Sequence, residues 1–366
     1  VLFTILAALW MILMFFNHKV LANTGIQINN ANFPDSNFVS SLKEMYPSYT
    51  KDNLLTIDEI AKITSMDLSM MGIKDLTGIE HFTQLSFLNL EVNNLVNVDL
   101  SKNHKLTTLE ISNNQLLTSL KLPKSIVNVY MNFNTQLTNF EISEYPNLKL
   151  FYGADVPLKQ VDVSNLTELV ALDLENTGIQ RIDVTNQTKL EYLNVSSNQL
   201  EELDVSKNIN LLTLRVENNK LTKLSLPNSI KNDVTVKYYA QQVEDGYQIN
   251  WYNGEKLLKE NEKISMKGQT LTATISAKPY QIIYHANGGR GSMASEQVSF
   301  GSSINLKANT FTRTGYIFLG WSTSQNANST TYEDKAEISF ASYPNKGRVT
   351  LYAVWKPIQY SIEFID

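Results

Sequence analysis

The sequence predicts an α/β repeat solenoid with a helical cap, followed by smaller β-rich modules. Three observations lead to this fold class. A leucine-bearing pattern recurs every 20 to 22 residues over 63–231, an amphipathic helix pattern precedes it, and short alternating segments separated by glycine turns follow it. The chain has 366 residues and an apolar fraction of 43%, which is enough to fill two or three separate cores.

The repeated pattern is clearest at Leu190–Leu200, which reads L-x-x-L-x-L-x-x-N-x-L, the signature of a leucine-rich repeat. We number its positions as slots 1 to 11. Slots 1, 4, 6 and 11 carry apolar side chains for a core that one repeat cannot bury, so the repeats must stack. Eight segments fit the pattern, and they start at Ile63, Leu85, Leu106, Ile126, Leu148, Leu169, Leu190 and Leu211.

Slot 9 is expected to form a row of asparagines along the solenoid. An amide at this position turns the chain out of the strand and can bond neighbouring backbone groups. The repeats that carry it do so at Asn93, Asn114, Asn134, Asn198 and Asn219. In the other three repeats the slot holds Met71, Val156 or Thr177, and the row should be interrupted there.

Residues 1–22 are predicted to be a secretory signal. Val1–Phe16 is almost entirely apolar, and Val20 and Ala22 fit the positions before a cleavage site. The alternative is an uncleaved membrane anchor, since the apolar run is just shorter than a bilayer span. Because the run starts on Val without a basic segment, we expect the natural start to lie upstream or at an alternative start codon.

Residues 23–62 are predicted to form a helical cap on the first repeat. Asp35 can cap a helix that carries Phe38 and Leu42 on one face. Thr56–Glu59 reads as a capping box, which indicates the start of another helix. The acidic residues nearby do not have the spacing of a calcium loop, so a cap is favoured over a metal site.

Two β-rich modules are predicted after the repeats. Residues 232–278 alternate in polarity and contain the turn Asn253-Gly254, which indicates a β-sandwich-like junction whose first strand covers the last repeat. Residues 279–357 place glycines beside aromatic residues, which is typical of tight turns with rings packed over bare backbone. Residues 358–366 repeat the pattern of Tyr280–Tyr284, so we expect them to begin a second copy and the sequence to be a fragment.

This order of segments resembles the internalin family of Gram-positive surface proteins over nearly the whole chain from residue 26. Residues 279–357 look like the B-repeat, or Listeria–Bacteroides repeat, with Gly315–Trp321 and Leu351–Trp355 as its hallmarks. Most repeats here have 21 residues, whereas 22 is usual in internalins. The resemblance implies a small β-grasp-like B-repeat and an adhesin or invasin with a possible virulence role.

The resemblance also implies where such a protein acts. It would be secreted or held at the cell surface of a Gram-positive bacterium, and it would bind a protein, such as a host-cell receptor, on the concave repeat face. The sequence contains no L-P-x-T-G sorting motif, so attachment to the cell wall through further C-terminal sequence is implied by resemblance alone. We expect membrane contact through the signal segment only.

The sequence offers no catalytic, metal or cofactor site. It has no cysteine, and its four histidines lie in none of the usual metal or triad motifs. Gly288–Gly291 lacks the Lys-Ser/Thr of a phosphate loop and fits a hairpin turn instead. A net charge of −5 disfavours nucleic acid as a partner. We therefore predict a binding protein and not an enzyme.

The candidate binding residues occupy slots 3, 5 and 7, which point outward from each repeat strand. Strands about 4.8 Å apart should place Tyr130 beside Tyr152. Six carboxylates and one cation are expected around them, and an aromatic centre in an acidic field is typical of protein-binding patches. The candidates are Phe87, Glu110, Tyr130, Leu150, Tyr152, Asp173, Glu175, Tyr192 and Arg215.

Three functions remain open from the sequence. The first is an adhesin that binds a protein through the concave face. The second is a structural cell-envelope spacer, because stray exposed aromatic residues are ordinary on protein surfaces. The third is a carbohydrate-binding surface protein that uses Tyr130 and Tyr152 as stacking platforms.

Overall fold

The computed structural model describes residues 25–227, 236–238, 241–259, 269–342 and 347–362, and the predicted signal segment 1–22 lies outside them. In these residues no helix is long and apolar enough to cross a bilayer. The chain divides into two compact units, residues 1–241 with 252–272 and residues 242–251 with 273–366.

The first unit opens with short elements that precede the repeats. Strands β1 (Gly25–Gln27) and β2 (Leu54–Thr56) pair antiparallel. Helices α1 (Ser36–Met45), α2 (Pro47–Thr50) and α3 (Ile57–Ile60) lie around them. Asp35 caps α1, whose Phe38 and Leu42 are buried, and Thr56 and Glu59 form the capping box of α3.

The repeats contribute strands of two or three residues on two sides of the solenoid. They are β3 (Ser65–Asp67), β4 (Phe87–Asn89), β5 (Asn97–Asp99), β6 (Thr108–Glu110), β7 (Ser119–Lys121), β8 (Asn128–Tyr130), β9 (Leu150–Tyr152), β10 (Ala171–Asp173), β11 (Tyr192–Asn194), β12 (Glu202–Asp204), β13 (Thr213–Arg215), β14 (Lys223–Ser225) and β15 (Val236–Lys237). Nine of them form one sheet in the order β15-β13-β11-β10-β9-β8-β6-β4-β3. All of its pairs are parallel, so equal slots of neighbouring repeats lie side by side.

The core lies where the pattern predicts it. The slot 4 side chains are buried in all eight predicted repeats, from Met66 to Leu214. Slot 11 departs from the pattern in the third and fourth repeats, where Leu116 and Gln136 are exposed and the next residues, Leu117 and Leu137, take the buried position. The N–H of Leu117 bonds the carbonyl of Asn114, so a tighter turn accounts for this shift.

The repeats continue past residue 232, where the sequence predicted the start of the junction. Val236 pairs with Leu214, so the first junction strand does join the last repeat, but as a ninth turn of the solenoid. Gln241 fills slot 9 of this turn, because its amide donates to the carbonyls of Val216 and Tyr238 and accepts the N–H of Leu221. The sequence pattern missed this turn because it requires an asparagine there.

The later part of the junction, which the sequence predicted as a β-sandwich-like module fused to the end of the solenoid, contains three more strands, of which the last pairs with a repeat strand. They are β16 (Tyr247–Asn253), β17 (Lys256–Leu257) and β18 (Thr270–Ala277). β18 pairs antiparallel with β14, and this pairing sets the buried Leu271 opposite the buried Leu224. β16 and β17 form a hairpin around Gly254, whose φ of 59° suits the predicted turn.

The second unit contains a mixed sheet of four strands in the order β20-β19-β24-β22. The remaining strands are β19 (Pro279–His285), β20 (Glu296–Ser299), β21 (Ser303–Asn305), β22 (Tyr316–Ser322), β23 (Glu337–Ser339) and β24 (Arg348–Pro357). β19 and β24 are parallel, the other sheet neighbours are antiparallel, and β21 pairs separately with β23.

Aromatic residues fill the core of this second unit. Trp321 is fully buried and contacts the rings of Tyr284 and Phe318. The Trp355 indole donates to the carbonyl of Ala286 at 2.9 Å, and the space that a side chain would need at Gly289 is taken by its ring. The expected packing of rings over bare glycine backbone is therefore present.

One further sequence boundary falls differently in the structure. The predicted boundary between residues 278 and 279 lies inside the second unit, where Lys278 exchanges backbone hydrogen bonds with Gly246 and Phe300. In the predicted second copy, residues 358–366, Tyr360 and Ile362 are exposed, whereas their counterparts Tyr280 and Ile282 are buried. The described residues 358–362 form no strand.

Candidate protein-binding face

All nine candidate residues lie on one surface, the side of the nine-stranded sheet that faces away from the leucine core. We call it the sheet face. Slot 3 contributes Phe87, Leu150 and Tyr192, slot 7 contributes Glu175, and slot 5 contributes the rest. Strand pairing continues the slot 5 row from Asp67 through Arg215 to the backbone of Lys237. The regular stacking of repeats therefore assembles this face from residues far apart in sequence.

Three half-buried tyrosines form the centre of the sheet face. Tyr130 and Tyr152 are directly paired on β8 and β9, and their rings stack 5.1 Å apart at 8°. Tyr192 lies two strands from Tyr152, yet their ring centroids are 6.0 Å apart. The intervening residue of slot 3 is Ala171, whose small side chain leaves the space that the Tyr192 ring crosses.

A hydrogen-bonded network fixes the neighbouring side chains. The Tyr192 hydroxyl donates to Oδ2 of Asp173 at 3.0 Å, and the Asn194 amide donates to the same oxygen at 3.2 Å and to Oε2 of Glu175 at 2.9 Å. Asp173 is only 8% exposed, so the outward carboxylate expected from its slot is largely covered. Asp173 therefore holds Tyr192 in place, and Asn194 links Asp173 to Glu175.

Burial and nearby charge act on the tyrosine hydroxyls. Burial, together with the Asp173 carboxylate, raises the pKa of Tyr192 to about 12. Burial also raises the pKa of Tyr152, and the neighbouring Tyr130 and Asp173 add to the effect. Both hydroxyls are protonated at neutral pH, as tyrosine ordinarily is, and the raised pKa extends this state to more alkaline solution.

The N-terminal repeats of the sheet face are acidic. Burial raises the pKa of Glu110, and repulsion from Glu91 and Asp67 raises it further. The four ion pairs among the described residues all lie away from this face. Arg215 is exposed near the opposite end of the row. The face thus has a carboxylate-rich end that a cationic group of a partner would neutralise.

Sequence reasoning missed two members of the aromatic centre. Asn194 was not chosen, although its amide joins two of the chosen carboxylates. Ala171 was not chosen, although its size admits the Tyr192 ring. The signal for both was available only by reading slots across three consecutive repeats instead of along one strand.

The described residues outside the sheet face include a groove but no metal centre. The described part of the chain contains no group of three His, Cys, Asp or Glu residues arranged to hold a metal ion. A groove of about 510 Å³ lies beside β5 and β7 and contains none of the predicted site residues. Its charged lining residues have both signs, and they are Asp75, Glu80, Asp99, Lys102 and Lys121.

Comparisons with known proteins find relatives of part of this chain. Residues 280–354 match the family model of the Listeria–Bacteroides repeat domain. Internalin J of Listeria monocytogenes is 37% identical over 71 residues, which are 19% of this chain and 8% of that protein's length.

Two solved structures from Listeria monocytogenes are similar to this chain. The functional domain of InlJ is 24% identical, with 55% of this chain and 54% of that chain covered and a TM-score of 0.34. InlP is 15% identical, with 68% and 89% covered and a TM-score of 0.45. Residues 280–354 thus match the Listeria–Bacteroides repeat domain, and the chain that carries them has leucine-rich repeats and is similar in part to Internalin J.

Proposed function

We propose that this chain is a secreted or cell-surface protein of a Gram-positive bacterium that binds another protein through the sheet face. The stacked tyrosines Tyr130 and Tyr152, with Tyr192 beside them, carry the proposal. Similarity to Internalin J supports a surface interaction role, and a host-cell receptor is the kind of partner we favour. Attachment to the cell wall, a virulence role and a β-grasp-like B-repeat belong to the same proposal.

The geometry of the tyrosines suits an interface centre. Aromatic side chains that lie in well-packed surroundings are frequent hot spots, since they offer large contact area at low entropic cost. Stacking and the bond from Tyr192 to Asp173 hold these rings in place before any partner arrives. A partner would therefore lose little binding free energy in ordering them.

The same geometry disfavours the two alternative functions, a carbohydrate-binding protein and a cell-envelope spacer. A sugar ring stacks on the open face of an aromatic ring, but Tyr130 and Tyr152 lie face to face and cover one face of each other. Their edges and hydroxyls are better suited to a protein surface than to a sugar. A pure spacer has no need for three adjoining tyrosines on one face.

The test compares matched variants once a partner has been captured with the whole chain from host-cell surface extracts. Truncation of Tyr130→Ala with Tyr152→Ala removes the contact area but leaves the leucine core intact. We expect it to weaken binding by about 2–4 kcal/mol, the range of interface hot spots. The control is Lys207→Ala, an exposed residue away from the sheet face. If both variants bind like the parent, the tyrosines do not form the interface and the spacer function is favoured.

A second test addresses the charge of the face. Since Asp67, Glu91 and Glu110 present carboxylates at one end, a basic partner should associate more slowly as salt rises from about 0.05 to about 0.5 M. Stopped-flow association rates provide the measurement. A rate that does not change with salt would show that these charges do not steer the partner.

A further inference from the structure

Slot 8 has the same backbone conformation in all eight predicted repeats. Its φ lies between 52° and 62°, the left-handed region, at Met70, Val92, Asn113, Phe133, Asp155, Asn176, Ser197 and Asn218. In this conformation the slot 8 N–H reaches the slot 7 carbonyl of the next repeat, as from Met70 to Glu91 at 2.9 Å and from Val92 to Ser112 at 3.0 Å. The left-handed turn is therefore part of the stacking of the repeats.

The side chains that occupy this slot differ between the two halves of the solenoid. A left-handed residue other than glycine costs about 1–2 kcal/mol, asparagine and aspartate tolerate it best, and β-branched residues tolerate it worst. Repeats five to eight use Asp155, Asn176, Ser197 and Asn218. Repeats one, two and four instead use Met70, Val92 and Phe133, which gain nothing from this backbone geometry.

Burial does not explain this choice either. The exposed fractions of Met70, Val92 and Phe133 are 76%, 44% and 45%. Because backbone hydrogen bonds stack the slot 8 turns on successive repeats, these three side chains lie in one row just past the C-terminal ends of the sheet strands, with Asn113 of the third repeat between Val92 and Phe133. We call it the apolar row. In the unbound protein, the left-handed backbone at these residues destabilises the folded state, and partial burial of their side chains offsets little of this cost.

Carboxylates of the same repeats lie beside the apolar row. Glu91 immediately precedes Val92, and Asp67 and Glu110 occupy slot 5 of the first and third repeats. Burial raises the pKa of Glu110, and repulsion from Glu91 and Asp67 raises it further. The described ion pairs involve none of them. This edge of the molecule is therefore apolar and negatively charged at once.

We propose that the apolar row is a second docking surface, which takes an amphipathic protein segment whose apolar side chains lie next to lysine or arginine. Such a segment would cover the row and neutralise the carboxylates in one contact. An anionic membrane is disfavoured, because its charge has the same sign as that of the carboxylates. The surface shares these carboxylates with the sheet face but includes none of its three tyrosines, so variants of the apolar row and variants of the tyrosines test the two proposals separately.

The probe is a fluorescein-labelled helical peptide of leucine and lysine, titrated into the whole chain while anisotropy is followed. The test variant is Met70→Asn with Val92→Asn and Phe133→Asn. Asparagine suits the left-handed turn, so this variant should melt above the parent, which also shows that it is folded. We expect it to bind the peptide at least about tenfold more weakly than the parent does.

Four controls complete the experiment. Ile209→Asn with Leu212→Asn makes the same chemical change at similarly exposed positions elsewhere, and it should bind like the parent. Tyr130→Ala with Tyr152→Ala should also bind like the parent, which separates this surface from the proposed sheet-face site. A leucine–glutamate peptide and anionic vesicles should not bind. The proposal is overturned if the apolar-row variant binds like the parent, if the lysine peptide does not bind the parent, or if the acidic probes bind equally well.

Discussion

Asp35 joins the first helix to the first repeat with a single carboxylate. Its Oδ1 accepts the N–H groups of Asn37 and Phe38, and its Oδ2 accepts those of Lys74 and Asp75 at 2.8 and 3.1 Å. Burial alone would raise the pKa of Asp35, but these four donors outweigh it and lower the pKa below its ordinary value. The residue is a helix cap and also a link between two elements.

We predict that Asp35→Ala lowers the free energy of unfolding by about 2–3 kcal/mol at neutral pH, because a cap and a second pair of hydrogen bonds are lost. Asp35→Ser should lose less, since serine can still cap the helix. A lowered folded-state pKa means that the stabilisation is present above the ordinary value of 3.8 and disappears as pH falls through the folded-state pKa. Urea unfolding of parent and variant at pH 7 and at low pH measures this. An equal difference at both pH values would contradict the role of the charge.

The asparagines of the repeats form two rows, of which the sequence predicted one. The slot 9 row is interrupted at Val156 as expected, but at Thr177 the hydroxyl takes over the bond to the Leu174 carbonyl. A second row, on the other side of the repeats, consists of Asn103, Gln187 and Asn208. Their acceptors are carbonyls of the preceding repeat, so a pattern within one repeat does not reveal them.

The two rows should differ in their contribution to stability. The Asn198 amide donates to three carbonyls and accepts the N–H groups of three residues, whereas no partner is found for Oδ1 of Asn208. We predict that Asn198→Ala costs about 3–5 kcal/mol and Asn208→Ala about 1–3 kcal/mol, since each buried group left unpaired costs about 1–3 kcal/mol. Denaturant unfolding measures both. Equal losses would mean that the acceptor bonds of slot 9 contribute little.

At the scale of elements, a strand of three residues depends on its neighbours. Leu172 occupies slot 4 of β10 and is fully buried between β9 and β11. We predict that Leu172→Ala costs about 2–5 kcal/mol through the cavity it leaves. Because each repeat contacts only adjacent repeats, hydrogen exchange should lose protection first in β9, β10 and β11. Uniform loss along the solenoid would show that it unfolds as one cooperative unit.

The position of each strand could be predicted from the sequence, and its surroundings could not. A period of two within a strand and about 21 residues between strands fixes which side chains face outward, so the pairing of Tyr130 with Tyr152 was foreseen. The burial of Asp173 depends on the size of Ala171 and the reach of Tyr192, which involves three repeats. The left-handed turn at slot 8 was also missed, because Met70, Val92 and Phe133 interrupt the row of Asn, Asp and Ser residues that would indicate it.

At the scale of the whole molecule, each end of the leucine core needs a cover, and the sequence located only one of the covering strands at the C-terminal end. The predicted first junction strand became β15 of the repeat sheet. On the other side of the last repeat, residues 270–272 of β18 pair with β14. Residues 252–272 belong to the same compact unit as the repeats. The segment that completes the solenoid, residues 252–272, therefore follows ten residues, 242–251, that belong to the second unit.

This arrangement predicts how the chain responds to truncation. A chain that ends at Thr272 retains the strand opposite Leu224, whereas a chain that ends at Gln241 leaves the buried side of β14 exposed to water. Exposing Leu224 and losing Leu271 removes the burial of two leucines, worth about 3–6 kcal/mol in total. We expect thermal melting of the repeats, followed by circular dichroism, to be clearly lower for the chain that ends at Gln241. If both truncated chains melt at the same temperature, β15 alone covers the core and β18 is not needed for it.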